Sequence, residues 1–214
     1  MSTTNNRRLL IALCFFAIFQ VQQGLANSDS LLIIKVHFLH GSKPKHRFRH
    51  EENRWFGGIL GGHAGVEYTP GEIINFQPKA PIHFFSSRHL INSLFGSNDT
   101  VSFYEILGGN YANMKKTVVF LSVTATQKAR LDSVAAAYMA QSPYDYAFFG
   151  MRCGAATYDL LAKAGITKPY TIPKTWCKFF YPRKTRRRLE KLAMQQRQPI
   201  LRQKGSIKRI WEKD

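Results

Sequence analysis

Acidic side chains are scarce in this sequence: 13 Asp and Glu face 31 Lys and Arg, for a formal charge of +18 in 214 residues. A chain so short of carboxylates seeks surfaces rich in phosphate or carboxylate. Cysteine is scarce too, at three residues, and none stands beside the histidines at 37, 40, 46 and 50. Their spacing fits no zinc pattern and the neighbouring Lys and Arg repel cations, so no metal site is expected. No cofactor is expected either. The sequence has no glycine loop for cradling phosphate, no internal repeat, and no apolar run of the ~20 residues that span a bilayer. Its basic C-terminal segment lacks the interleaved aromatics that stack bases, which argues against nucleic acid as a partner.

What is present begins with a leader. Asn5-Asn-Arg-Arg8 is a positive n-region, Leu9 to Phe19 is an apolar stretch of signal-peptide length, and Gly24-Leu-Ala26 supplies small residues for cleavage after Ala26. An uncleaved anchor is the alternative. Leu13 before Cys14 speaks against a lipoprotein signal. The mature chain is therefore expected to be exported, either periplasmic or associated with the cell envelope. It keeps Cys153 and Cys177, and an oxidising compartment invites a disulfide between them. Residues 27–182 are expected to form one domain and residues 183–214 a basic, helical or partly disordered tail. From Lys178 onward, 13 Lys or Arg meet only 3 Asp or Glu. Such a tail suits an anionic membrane surface or a cell-envelope polymer, or it is a solvated helix that only aids solubility.

Within the domain, Ser30 to Leu39 is β-branched and apolar and predicts a strand. Gly62 to Tyr68 predicts another, with His63, Gly65 and Glu67 on one face and Ala64, Val66 and Tyr68 on the other. Pro70-Gly71 predicts a hairpin turn into Glu72-Ile-Ile-Asn75-Phe-Gln. Ala80 to Ser86 and Val101 to Leu107 predict short strands, separated by a helical turn from Arg88 to Phe95. Thr117 to Val123 predicts a buried strand, after which Thr124 or Thr126 caps a helix to about Gln141. Cys153 then opens a short amphipathic helix that Gly165 stops. Strands followed by helices predict an α+β domain, with an antiparallel sheet carrying the cysteine helix.

A thiol in the first turn of a helix faces free backbone N–H groups and the positive end of the helix dipole, both of which favour the thiolate. A cysteine nucleophile also needs an imidazole to carry the proton and a third group to orient that imidazole. His63, on its glycine-flanked strand, fits the first role. Asn75, on the neighbouring strand, fits the second. Glu67 shares the face of His63 but lies about 13 Å along the strand, and His83 is a further choice. For the oxyanion, the Cys153 N–H is available, and Tyr144 or Tyr146 could add a hydroxyl. Arg152, just before the cysteine, would help ionise the thiol, bind an acidic substrate, or face solvent.

The pair Gly62-His63-Ala-Gly-Val-Glu-Tyr68 and Tyr144-Asp-Tyr-Ala-Phe-Phe-Gly-Met-Arg-Cys153 resembles the circularly permuted papain-like group, which includes NlpC-type and lecithin:retinol acyltransferase-like proteins. There a histidine strand precedes a cysteine helix. The likeness covers roughly Leu31 to Gly165, and the nearest resemblance is to exported bacterial domains. It implies Cys153 as nucleophile and His63 as base. It points again to Asn75, since a polar residue about a dozen positions after the histidine is frequent in the group. Arg152 departs from the asparagine or small residue often found before the cysteine. The implied activity is a cysteine hydrolase or acyl or amide transferase acting on cell-envelope peptide or lipid-linked substrates. The rival reading is a non-catalytic envelope-binding module with a Cys153–Cys177 disulfide and a surface-binding tail.

Overall fold

A computed structural model describes residues 31–87, 89 and 91–214. The expected leader, its cleavage position after Ala26, and Cys14 lie outside these residues. Ten strands and five α-helices follow in order: β1 (Leu32–His40), β2 (Ser42–Pro44), β3 (Gly62–Thr69), β4 (Glu72–Pro78), β5 (His83–Phe85), β6 (Ser93–Asp99), α1 (Thr100–Glu105), β7 (Lys116–Val123), α2 (Ala125–Ala140), β8 (Ala147–Phe149), α3 (Cys153–Lys163), α4 (Lys174–Cys177), α5 (Pro182–Gln195), β9 (Ile200–Gln203) and β10 (Arg209–Trp211). The chain is a mixed α+β structure. Its main sheet has the order β6-β4-β3-β1-β7-β9, and every neighbouring pair in it is antiparallel.

Alternation along the strands divides the interior. Ile34, Val36 and Phe38 of β1, Ala64 and Val66 of β3, Ile74 and Phe76 of β4, and Val119, Leu121 and Val123 of β7 face α2, α3 and α5. Full burial of each large aliphatic or aromatic side chain contributes about 1.5–3 kcal/mol. The opposite face carries a smaller cluster of Leu39, Trp55, Ile73, Phe103, Tyr104 and Met114, roofed by α1. Gly65 belongs to that side, where an added Cβ would come within 2.8 Å of the Phe103 ring. The missing side chain lets α1 lie close against β3.

Helix ends follow the expected local chemistry. Thr124 caps α2 through the Gln127 N–H, and the Gln127 side chain returns a bond to the Thr124 N–H, forming a capping box. After α3, Gly165 takes a φ of +76°, and the Ile166 N–H reaches the Leu161 carbonyl at 2.9 Å. The segment expected as a strand from Val101 to Leu107 is instead led by α1. Asp99 accepts hydrogen bonds from the Val101 and Ser102 N–H groups and so starts a helix there. The helical turn expected from Arg88 to Phe95 is replaced in part by the start of β6 at Ser93.

The expected tail is helical at its start, as one of its readings had it, but it is part of the domain rather than separate from it. Residues 183–214 contribute nearly all of α5, together with β9 and β10, and Leu31–Asp214 cluster as one unit. Thr185, Arg186, Leu189 and Ala193 are buried, β9 pairs with β7 at the sheet edge, and β10 pairs with β2. The physical reason is that this basic segment has an inner face. Arg186 is fully buried, and its guanidinium lies 3.1 Å from both Glu212 and Asp214.

Candidate functional site

Cys153 is the first residue of α3, and Arg152 is its N-cap. Two neighbours fix that start. The Ala147 N–H bonds the Met151 carbonyl, folding the loop before it, and the Thr185 hydroxyl of α5 bonds the Gly154 carbonyl at 3.0 Å. Gly154 has no side chain to spare, since a Cβ there would meet the Pro182 backbone at 3.0 Å. The Cys153 Sγ comes to the start of β3, 3.9 Å from the Gly62 carbonyl oxygen. There the thiol and the His63 imidazole line the same cavity and act on each other electrostatically.

Asn75 holds the other side of that imidazole. The His63 Nε2–H donates to the Asn75 Oδ1 at 2.9 Å. The amide is oriented by its own nitrogen, which donates to the Ile73 and Gly96 carbonyls and to the Asn98 Oδ1. With Oδ1 thus an acceptor, Nε2 must carry a proton, and Nδ1 is left to exchange one with sulfur. Gln77 adds bonds to Asn75 and Asn98. Gln77 and Asn98 were missed from sequence, although Asn75 and Gln77 alternate on one strand face. Asn75→Ala leaves the Nε2–H without its acceptor, at a cost of about 1–3 kcal/mol. Alkylation of Cys153 at pH 6.5 should slow by about tenfold or more. An unchanged rate in a variant of unchanged circular dichroism would show that Asn75 does not orient the ring.

The electrostatics of the pair are reciprocal. Burial pushes the Cys153 thiol up, but His63, through charge and hydrogen bond, together with Arg152 and Tyr146, outweighs it and holds the pKa below the ordinary thiol value. Burial pulls His63 down, while the Cys153 thiolate and the bonds to Cys153 and Asn75 bring its net pKa above the ordinary value. Both shifts favour a thiolate beside an imidazolium. Tyr146 is buried, stacks on Phe76, and lines the cavity beside Cys153, with which it interacts electrostatically. It therefore borders the place where an oxyanion on an attacked carbonyl would form.

The other expected site residues lie elsewhere. Glu67 bonds Lys35 and the His37 Nε2, each at 2.8 Å, and so is held away from the role of orienting His63. The Tyr144 hydroxyl bonds Asp159 within an aromatic group of Phe76, Phe95 and Tyr138, so it is a packing tyrosine rather than an oxyanion donor. His83 bonds Asp145 at 2.7 Å. Arg152 is buried and does not face solvent. Its guanidinium sits over Phe180 at 4.5 Å and near Phe148 and Tyr181, and its Nη1 has no hydrogen-bond partner among the described residues. Cys153 and Cys177 are both free, one buried and one exposed, so the disulfide reading is not realised.

A cavity of about 260 Å³ opens on the pair and is lined by His63, Cys153, Arg152, Tyr146 and Gln77 with apolar Phe56, Pro78, Ile82, Ile106 and Leu107. A larger hollow of about 600 Å³, among Lys43, Arg49, Glu52 and Trp55, contains neither thiol nor imidazole in its wall. Two of the four histidines considered for metal are otherwise engaged, His37 with Tyr104 and Glu67, and His40 with Thr117. Burial, with Arg186 and Lys115, drives His40 down to about 3. Among the described residues, no group of three or more His, Cys, Asp or Glu could hold a metal ion. Comparison with protein-family models, curated proteins and solved structures finds no match for this chain.

Proposed function

We propose that this chain is an exported cysteine hydrolase or acyl or amide transferase of circularly permuted papain-like type. The observation that carries the reading is Cys153 and His63 in one cavity wall, with His63 hydrogen-bonded to Asn75 and the histidine strand preceding the cysteine helix. The Cys153 thiolate attacks an acyl carbon, forming an S–C bond as the carbonyl electrons move to oxygen. The Cys153 N–H and the Tyr146 hydroxyl receive that oxyanion. Its collapse expels the leaving group, which takes the proton from the His63 Nδ1. His63, now neutral, takes a proton from water or an acceptor nucleophile, which attacks the acyl carbon and releases Cys153. Asn75 keeps the ring in one tautomer throughout.

Substrates of the cell envelope, peptide or lipid-linked, fit an exported chain whose strong basic excess, +18 over all 214 residues, an anionic envelope surface attracts. The apolar lining of the cavity favours an acyl chain or apolar side chain beside the scissile bond. The test is turnover of 4-nitrophenyl acyl esters of increasing chain length, with mass spectrometry of the trapped acyl-enzyme. The acyl mass is expected on the peptide bearing Cys153, and Cys153→Ala should abolish both acylation and turnover. Equal turnover by a folded Cys153→Ala protein would refute the reading.

A further inference from the structure

Beside the cavity the molecule leaves several large aromatic rings in water. Phe84 and Phe85 of β5 are 60% and 62% exposed, Trp176 of α4 is 53% exposed, and Ile172, just before α4, is 70% exposed. These are not scattered. β5 and β8 pair in parallel, placing Phe85 opposite Phe149. Phe84 stacks on Phe148 with ring centroids 5.8 Å apart, Phe85 stacks on Phe149 at 5.7 Å, and Phe149 meets Trp176 at 5.9 Å. Phe148 in turn contacts Phe180, over which the Arg152 guanidinium lies. The ledge is thus continuous, ring by ring, with a residue that lines the cavity next to Cys153. Contiguous exposed aromatics on a soluble surface mark an interaction site.

The charge around the ledge selects its partner. The three stretches that build it, 79–98, 146–158 and 160–189, contain no Asp or Glu. Lys174 and Lys178 flank Trp176, and the Lys184 Nζ sits 5.9 Å from the Tyr181 ring centroid. Among the described residues, the one carboxylate bonded to β5, Asp145 on His83, has its side chain fully buried. Exposed aromatic rings flanked by Lys in stretches without Asp or Glu are the composition of a surface that rests on an anionic bilayer. We infer that the β5–β8–α4 ledge docks on an anionic lipid bilayer and so brings the mouth of the Cys153 cavity to membrane-borne acyl substrates. The substrate half of this inference rests on the proposed function; the bilayer contact stands without it. The contact is made by the ledge, whereas composition had assigned it to a C-terminal tail that is folded into the domain.

Flotation with vesicles of phosphatidylcholine, alone or mixed with an equal part of phosphatidylglycerol, tests the inference. The protein should float with the mixed vesicles, and Trp176 fluorescence should be quenched by brominated acyl chains, the quenching being lost in Trp176→Phe. The triple variant Phe84→Ser, Phe85→Ser, Trp176→Ser should bind roughly tenfold or more weakly. Unchanged melting and an unchanged rate of Cys153 alkylation would show that it is folded. Cys153→Ala should float like the wild type, so a failure of catalysis is read separately from a failure of docking. Equal flotation of the triple variant would overturn the inference and leave adsorption by charge alone. So would Trp176 that stays unquenched on bound protein, or a concentration-dependent dimer that the triple variant loses while no vesicle is bound.

Discussion

Iodoacetamide at pH 6.5 is expected to label Cys153 at least about tenfold faster than it labels the same thiol in His63→Ala, each rate taken relative to its own high-pH plateau. Cys14 and Cys177, the latter exposed on α4, are replaced by Ser in both proteins so that one thiol reports. The sign follows from the balance at Cys153. Burial disfavours the thiolate, and His63 is first among the groups that reverse this. Without His63, only Arg152 and Tyr146 remain to oppose burial, and the thiol pKa rises. Each unit of rise removes a factor of ten from the thiolate present below the pKa. In the wild type the labelling rate should climb as pH rises through a value below the ordinary ~8.5 of a free thiol. In His63→Ala the climb should move to higher pH. Superimposable profiles would mean that the two side chains do not share a proton, and the nucleophile assignment would fall with them.

Much of this pair was legible because local rules place it. A cysteine at a helix start, a glycine stop at Gly165, and strand alternation around His63 and Asn75 are all short-range signals. The register of β3 with β4 puts Gly65 opposite Asn75, close enough to His63 for the amide to reach its ring. The misreadings depend on partners far away in sequence. Glu67 shares the predicted face with His63, yet β1 pairs with β3 so that Lys35 lies opposite Glu67, and His37 completes the capture. Tyr144 and Tyr146 look equivalent until Asp159 and Tyr138 take the first and Cys153 the second. In the Val101–Leu107 segment, apolar composition suggested a strand, but the cap supplied by Asp99 outweighed it.

The basic C-terminal segment was the hardest part to read, because its charge concealed a buried face, and it sets the second large expectation. Arg186→Ala should destabilise the protein by about 3–5 kcal/mol in urea unfolding, the cost of removing one partner from a buried ion pair. That is a large share of the ~5–15 kcal/mol typical of a domain. Arg186 has no exposed surface and sits 3.1 Å from Glu212 and from Asp214, on a helix that also packs against the main sheet. Burial raises the Glu212 carboxyl to about 7 against the pull of Arg186. Without the guanidinium its pKa rises further, so at pH 6 the orphaned group stays neutral and the loss is smaller. At pH 8 it must ionise unpaired or hold its proton against the solvent, and the loss is larger. The destabilisation by Arg186→Ala should therefore grow from pH 6 to pH 8, and Glu212→Ala should remove that growth. Truncation after Gln195 should be more severe, since it deletes both carboxylates and strips β9 from the edge of β7, leaving that strand's backbone unpaired. Because α5, whose Thr185 holds the first turn of α3, loses the carboxylates that anchor Arg186, the truncated chain should also lose the fast labelling of Cys153. A truncated protein that unfolds with the wild-type midpoint and labels at the wild-type rate would return residues 196–214 to the status of a tail.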